Sequence, residues 1–285
     1  MLLELKDLTK YFPVKQGFLG KTEAFVHAVN QVSLKIEKGQ SLALVGESGC
    51  GKTTLSRVIL KLIKPTAGQI IFDGENITDY SNRDMRKIRH NMQFVFQDPY
   101  SSLDPRYTIR KILKEAMCLQ PTKSGLHELM VEAVQAVGLK EEVLYRYPHE
   151  FSGGERQRIA IARALILKPK FIILDEAVSS LDVLIQEQIV RLLNDLKKQY
   201  DLTYLFVTHN LKIVKKICQN VAVMYKGKII ELGTVDQIFQ NPIHPYTQEL
   251  LKAAIEYKTP SHKTNFQVNR SKGLQDQGDG HLVLE

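Results

Sequence analysis

The most constraining stretch of this sequence is Gly46 to Thr53, G-E-S-G-C-G-K-T, because of what flanks it. Leu42 to Val45 (LALV) is a short, wholly apolar run, the pattern of a strand buried on both faces. After the glycines, Leu55, Val58, Ile59 and Leu62 recur at helical spacing until Pro65. Strand, glycine-rich loop and helix in that order make an anion-binding device. The glycines let successive backbone N–H groups converge on phosphate oxygens, and the first helical turn adds positive potential. The loop fits the pattern G-x-x-x-x-G-K-[ST] of nucleotide-binding proteins. Gly46, Glu47, Ser48, Gly49, Cys50 and Gly51 are its expected cradle. Lys52 is expected to reach the outer phosphates, Thr53 to offer its hydroxyl to Mg²⁺, and Thr54 to bond an inner phosphate.

The rest of the chain supports an α/β core. Further strands are expected over Val29 to Ile36, Gln69 to Phe72, Asn91 to Phe96, Phe171 to Glu176 and Thr203 to Val207. A hairpin is expected around Lys226-Gly227. Helical spacing marks Ile109 to about Gly138, Glu155 to Leu167, Leu184 to Tyr200 and Tyr246 to Ile255. Strands alternating with helices argue parallel pairing. Pro13 to Thr22, with two glycines and a proline, reads as a loop. Residues 258–285 read as a polar, weakly patterned C-terminal tail that is expected to be mobile.

Two carboxylates, Asp175 and Glu176, end the apolar run FIILDE. Ligands bind at that end of strands in open α/β sheets. The first suits a metal ion, and the second suits orienting or deprotonating an attacking water. His209 ends the strand-like run YLFVT, which makes it a candidate for contact with a γ-phosphate, and Gln97 similarly follows QFVF.

Composition narrows the setting. Lys and Arg exceed Asp and Glu by 39 to 31, a net charge of +8 that suits a phosphate ligand, a nucleic acid or an anionic membrane surface. Three scattered cysteines, Cys50, Cys118 and Cys218, offer neither a disulfide framework nor a zinc site and suggest a reducing, cytoplasmic setting. No apolar run reaches the roughly 18 residues of a membrane span, and the first residues, MLLELKDLTK, lack the apolar core of an export signal. Cys50, near a helix N-terminus, is expected to have a lowered thiol pKa, so that alkylation would inhibit.

The run Phe151 to Arg158, F-S-G-G-E-R-Q-R, decides the reading. Ser152 caps a helix whose first residues are Gly153 and Gly154, a second anion-binding device in one chain. One triphosphate does not need two, but two facing copies do. The chain resembles the nucleotide-binding subunit of an ABC transporter from about Leu2 to Ile255. That resemblance implies a P-loop NTPase of ABC type: an α/β fold with a mixed sheet, an N-terminal antiparallel β subdomain and a helical subdomain. The nucleotide-binding domain would span 1–257, with the helical subdomain at about 98–165.

By resemblance, Gly46 to Thr53 is the Walker A loop and Gln97 the Q-loop glutamine that joins Thr53 and Asp175 at the metal. Ser152, Gly153, Gly154 and Glu155 form the signature. Asp175 and Glu176 are the Walker B aspartate and catalytic glutamate, Asp182 closes the D-loop, and His209 is the switch histidine. The adenine-stacking aromatic is Tyr11 or Phe12. Phe151 and Glu155 depart from the usual Leu and Gln.

FQDPYSSLDPR, YPHEFSGGERQR and NPIHPYTQELL resemble the importers of oligopeptides, dipeptides and nickel. DEAVSSLD is similar to the nickel type and HPYT to the peptide type. Implied are ATP and Mg²⁺, two integral membrane permease subunits, a second ABC ATPase, an extracytoplasmic binding protein acting indirectly, no nucleic acid, and residence on the cytoplasmic membrane face. The rival reading is an ABC ATPase acting on nucleic acid or ribosomes.

Overall fold

The computed structural model describes residues 1–16, 21–96, 98, 102–119, 125–256 and 273–284. They divide into two compact units, Met1–Asp79 with Phe206–Glu285, and Tyr80–Leu205.

In the first unit, β1 (Leu3–Gln16) and β2 (Lys21–Ile36) pair antiparallel, from Leu3 opposite Ile36 to Gln16 opposite Lys21. Leu3, Leu5 and Leu8 are buried opposite Ile36, Leu34 and Val32, so cross-strand apolar pairs set the register. The pairing runs through Pro13, opposite Phe25, where the sequence reads as a loop. A proline is tolerated there because β1 has its other neighbour, β4 (Ala67–Phe72), only from Leu3 to Thr9. β3 (Ser41–Val45) is buried at all five positions and leads through the glycine-rich loop into α1 (Lys52–Ile59). Leu55, Val58 and Ile59 are buried as their spacing predicts, but Leu62 lies beyond the helix and is exposed. The helix stops because Lys61 turns left-handed (φ 52), with Lys61 N bonded to Val58 O and Leu62 N to Arg57 O, a Schellman closure made without glycine. With β5 (Glu75–Asn76), an antiparallel sheet forms in the order β2-β1-β4-β5, the expected N-terminal β subdomain.

The second unit begins with α2 (Asn82–Ile88), capped reciprocally by Ser81 and Asp84. β6 (Met92–Val95) follows, then α3 (Ile109–Ala116), α4 (Leu126–Ala136) and α5 (Gly153–Leu165). α5 buries Ile159, Ala160, Ile161, Ala162 and Leu165, and α3 and α4 pack on it. β7 (Phe171–Asp175), wholly buried, runs parallel to β6, with Met92 opposite Phe171 and Val95 opposite Leu174. α6 (Val183–Tyr200) follows, and β8 (Thr203–Val207) carries the chain across the division.

Back in the first unit come α7 (Leu211–Ile217), β9 (Asn220–Tyr225), β10 (Lys228–Thr234), α8 (Val235–Gln240) and α9 (Pro245–Glu256). β9 is parallel to β3 and antiparallel to β10, which makes the sheet mixed. The last residues depart from the sequence reading. β11 (Gln275–Asp276) and β12 (Leu282–Val283) pair with each other, and β12 also pairs with β10, Glu231 opposite Val283. Val283 and Leu284 are buried against this edge, an apolar pair too short to register as a pattern in a polar run. Among the described residues, no helix is long and apolar enough to cross a membrane.

Candidate nucleotide site

The phosphate loop is held by backbone neighbours on several sides. Gly46 (φ 150) and Gly51 (φ 113) occupy conformations that L side chains avoid. A Cβ on Gly46 would lie 2.2 Å from Met224 O, and one on Gly51 would lie 2.0 Å from Ala28 O. The turn between β9 and β10 bonds the loop directly, Gly227 N donating to Cys50 O at 2.9 Å. Cys50 N donates to Glu47 O at 3.3 Å. Glu47 N donates to the hydroxyl of Tyr246 at 3.1 Å, so that amide is engaged with α9.

Lys52, 5% exposed, donates from Nζ to Gly46 O and Glu47 O, both at 2.8 Å. Among the described residues no carboxylate lies within ion-pair distance of it. A buried ammonium held by two carbonyl oxygens and a thiol sulfur, all uncharged dipoles, is a group that an anion stabilises, so the loop fits phosphate. The neighbouring thiol corrects the sequence expectation. Burial raises the Cys50 pKa, outweighing the lowering influence of Lys52 at 3.8 Å. The helix N-terminus does not make this a reactive thiolate, and Cys50 serves the loop through its backbone.

His209 belongs to the same unit and is exposed. It is fixed between Thr208, whose N–H reaches Leu44 O at 3.2 Å, and Asn210, which caps α7 and donates its own N–H to Thr208 Oγ1. Thr53 and Thr54 are half-buried in the first turn of α1. Tyr11 stacks on His27, ring centroids 3.9 Å apart, and its hydroxyl donates to Asn30 Oδ1 at 3.2 Å. Phe12, on the opposite strand face, is exposed, with Lys10 Nζ 5.0 Å from its ring. Gln97 lies outside the described residues.

The second unit carries the other candidates. Asp175 ends β7 and is buried, and Glu176 follows in a left-handed conformation (φ 48) unusual for a residue with a side chain. Ser179, overlooked in the sequence, donates to Glu176 O at 2.6 Å and lies 3.3 Å from its carboxylate Oε2. Its spacing of three residues after an acidic strand end is the only available signal. Each unit by itself offers the kind of oxygen donor that Mg²⁺ prefers, a hydroxyl at Thr53 in the first and a carboxylate at Asp175 in the second.

Ser152 caps α5 as expected. Its Oγ accepts from Glu155 N at 3.4 Å, while Ser152 N and Oγ donate to Glu155 Oε2 at 2.9 and 2.8 Å. Those bonds hold the Glu155 carboxyl below its usual pKa. It is therefore ionised at neutral pH and satisfies the helix start from within. Asp182 is exposed at the N-cap of α6, next to Val183 and Leu184, 73% and 75% exposed.

The ABC transporter family model matches residues 29–179, more than half of the 285. The chain belongs to the ABC transporter family. This ABC ATPase also matches the model of the oligopeptide/dipeptide transporter C-terminal region over residues 230–277. It is 48% identical over 255 residues to the oligopeptide transport ATP-binding protein AppF of Bacillus subtilis, covering 88% of this chain and 78% of that protein. It is 46% identical over 275 residues to the glutathione import ATP-binding protein GsiA of Shigella boydii. That match covers 96% of this chain but 44% of the relative's length. Among solved structures, a dimeric post-hydrolysis ATP-binding cassette bound to ADP and Pi superposes with a TM-score of 0.71 at 28% identity, covering 82% of this chain and 99% of that one. The ABC ATPase binds and hydrolyses ATP with Mg²⁺ on an α/β P-loop NTPase fold.

Proposed function

We propose that this ABC ATPase powers the import of peptides, working at the cytoplasmic membrane face with two permease subunits and a second ATPase. The observation that carries the peptide class is the match of residues 230–277 to the oligopeptide/dipeptide C-terminal region. The nucleotide site carries no mark of the cargo, so the peptide class is supported by this family match and by the named relatives.

In this reading Lys52 and the loop amides bind the β- and γ-phosphates, and Phe12, whose ring is exposed, stacks on adenine. Thr53 and Asp175 hold Mg²⁺, with Gln97 as the third ligand. Magnesium held there would supply positive charge against the phosphate oxygens. Glu176 takes the proton of the attacking water while His209 bonds the γ-phosphate. The Ser152-Gly153-Gly154 helix start, with Glu155 behind it, covers the nucleotide of the partner ATPase. Asp182, Val183 and Leu184 lie on the surface that meets that partner.

A tagged pull-down from native membranes in mild detergent tests the assembly. Two polytopic membrane proteins and a second ATPase are expected, and the recovered complex should drive ATP-dependent uptake of labelled peptide in proteoliposomes. Recovery of ribosomal or nucleic-acid proteins alone would overturn the transport assembly, and uptake of nickel without peptide would overturn the cargo class. For the stacking residue, Phe12→Ala is expected to raise the Kd for ATP about tenfold, and Tyr11→Phe less than twofold. Equal binding by Phe12→Ala and the parent would sink that assignment.

A further inference from the structure

A buried polar network begins in the segment matched to the oligopeptide/dipeptide C-terminal region, takes in His281 just beyond it, and ends on the phosphate loop. Glu231, on β10, is 0% exposed. Its carboxylate accepts three hydrogen bonds: from Ile243 N at 2.9 Å, from His244 N at 3.0 Å and from His281 Nε2 at 2.7 Å. A buried carboxylate survives only when satisfied in this way. His281 stands between β11 and β12, and the pairing of β12 with β10 brings it back across 50 residues of chain to Glu231. The two amides that Glu231 takes belong to the turn leading into α9. His244, whose pKa is lowered by burial, accepts from Tyr246 N through Nδ1 at 3.0 Å. The ring of Tyr246 packs against Tyr225, centroids 4.4 Å apart, and its hydroxyl takes Glu47 N.

We infer that Tyr246 is a positioning residue for nucleotide binding, fixing the start of the phosphate loop through the Glu47 amide, and that the C-terminal segment sets Tyr246 through His281 and Glu231. The physical reason is preorganisation. Amides that converge on phosphate must be held before the ligand arrives, or binding loses the free energy of ordering them. Glu47 immediately follows Gly46, so its amide is where the chain leaves β3 for the loop. Holding that point fixes the direction of the amides that follow.

The inference rests on Gly46 to Thr53 being the ATP phosphate cradle, so the test carries its own control. In the full chain, Tyr246→Phe keeps the ring against Tyr225 and deletes one neutral hydrogen bond. The Kd for ATP with Mg²⁺, and KM, are expected to rise about 3- to 10-fold, with kcat at saturating ATP within twofold. A merely structural tyrosine would lower the Tm and leave this KM-against-kcat split absent. His281→Ala is expected to raise the Kd in the same direction by a smaller factor, and to add nothing in the presence of Tyr246→Phe. Normal Kd in Tyr246→Phe beside a weakened Lys52→Ala overturns the inference. Normal Kd in both variants overturns the phosphate-loop assignment and the inference with it. Multiplicative effects of His281→Ala and Tyr246→Phe would overturn the route through Glu231.

Discussion

Replacing Glu176 with glutamine is expected to leave ATP bound and to cut turnover between about 100- and 10,000-fold, the range that a positioned general base supplies. The substitution keeps the volume of the side chain and an oxygen where Ser179 Oγ now lies 3.3 Å from Oε2. It removes only the charge and basicity, so the left-handed backbone at Glu176 and the bond from Ser179 to Glu176 O persist. The Kd for ATP should therefore stay within about threefold and the Tm within a few degrees, while phosphate release at saturating ATP collapses. Phosphate release within threefold of the parent would remove Glu176 from catalysis. Ser179→Ala separates positioning from chemistry. It deletes the hydroxyl that steadies the carboxylate and is expected to cost less than about tenfold in kcat, the scale of one neutral hydrogen bond.

What the sequence made legible follows from the range of the interactions involved. β3, β7 and β8 are contiguous apolar runs, and their burial needs no knowledge of distant partners. The Ser152 cap and the glycines at Gly46 and Gly51 are local chemistry written in adjacent residues. The misses involve balance or distance. At Cys50 a helix N-terminus and a lysine favour the thiolate, but desolvation is the larger influence, and burial is invisible in a sequence. The helix end at Lys61 was hidden because a left-handed lysine stands where glycine is usual. The hairpin through Pro13 was hidden because a proline is harmless on a strand side with no neighbour. The docking of residues 273–284 depends on Glu231 meeting His281, and a polar pair so far apart in the chain leaves no periodic trace. HPYT was visible only as a family marker, and its tyrosine acquires a physical role only once its hydroxyl is seen on Glu47 N.

Lys52→Ala is expected to weaken ATP binding about 100-fold without unfolding the chain. Two charge-assisted bonds to phosphate oxygens contribute about 3 kcal/mol or more together, and about 2.7 kcal/mol corresponds to that factor. The fold should tolerate the loss because Lys52 forms no ion pair among the described residues. Its removal strands no buried carboxylate, and the desolvation cost of the ammonium disappears with it. Gly46 O and Glu47 O lose their donor, a smaller cost of opposite sign. Thermal unfolding separates the two effects. At ATP concentrations near 100 times the parent Kd, ligand linkage stabilises the parent by about 2.7 kcal/mol and the variant, then near its own Kd, by about 0.4 kcal/mol. The nucleotide-free Tm should be nearly unchanged while the ATP-induced rise in Tm largely disappears. A full ATP-induced shift in Lys52→Ala would overturn the assignment of Gly46 to Thr53 as the ATP phosphate cradle, because the buried ammonium would then contribute nothing to binding the phosphates.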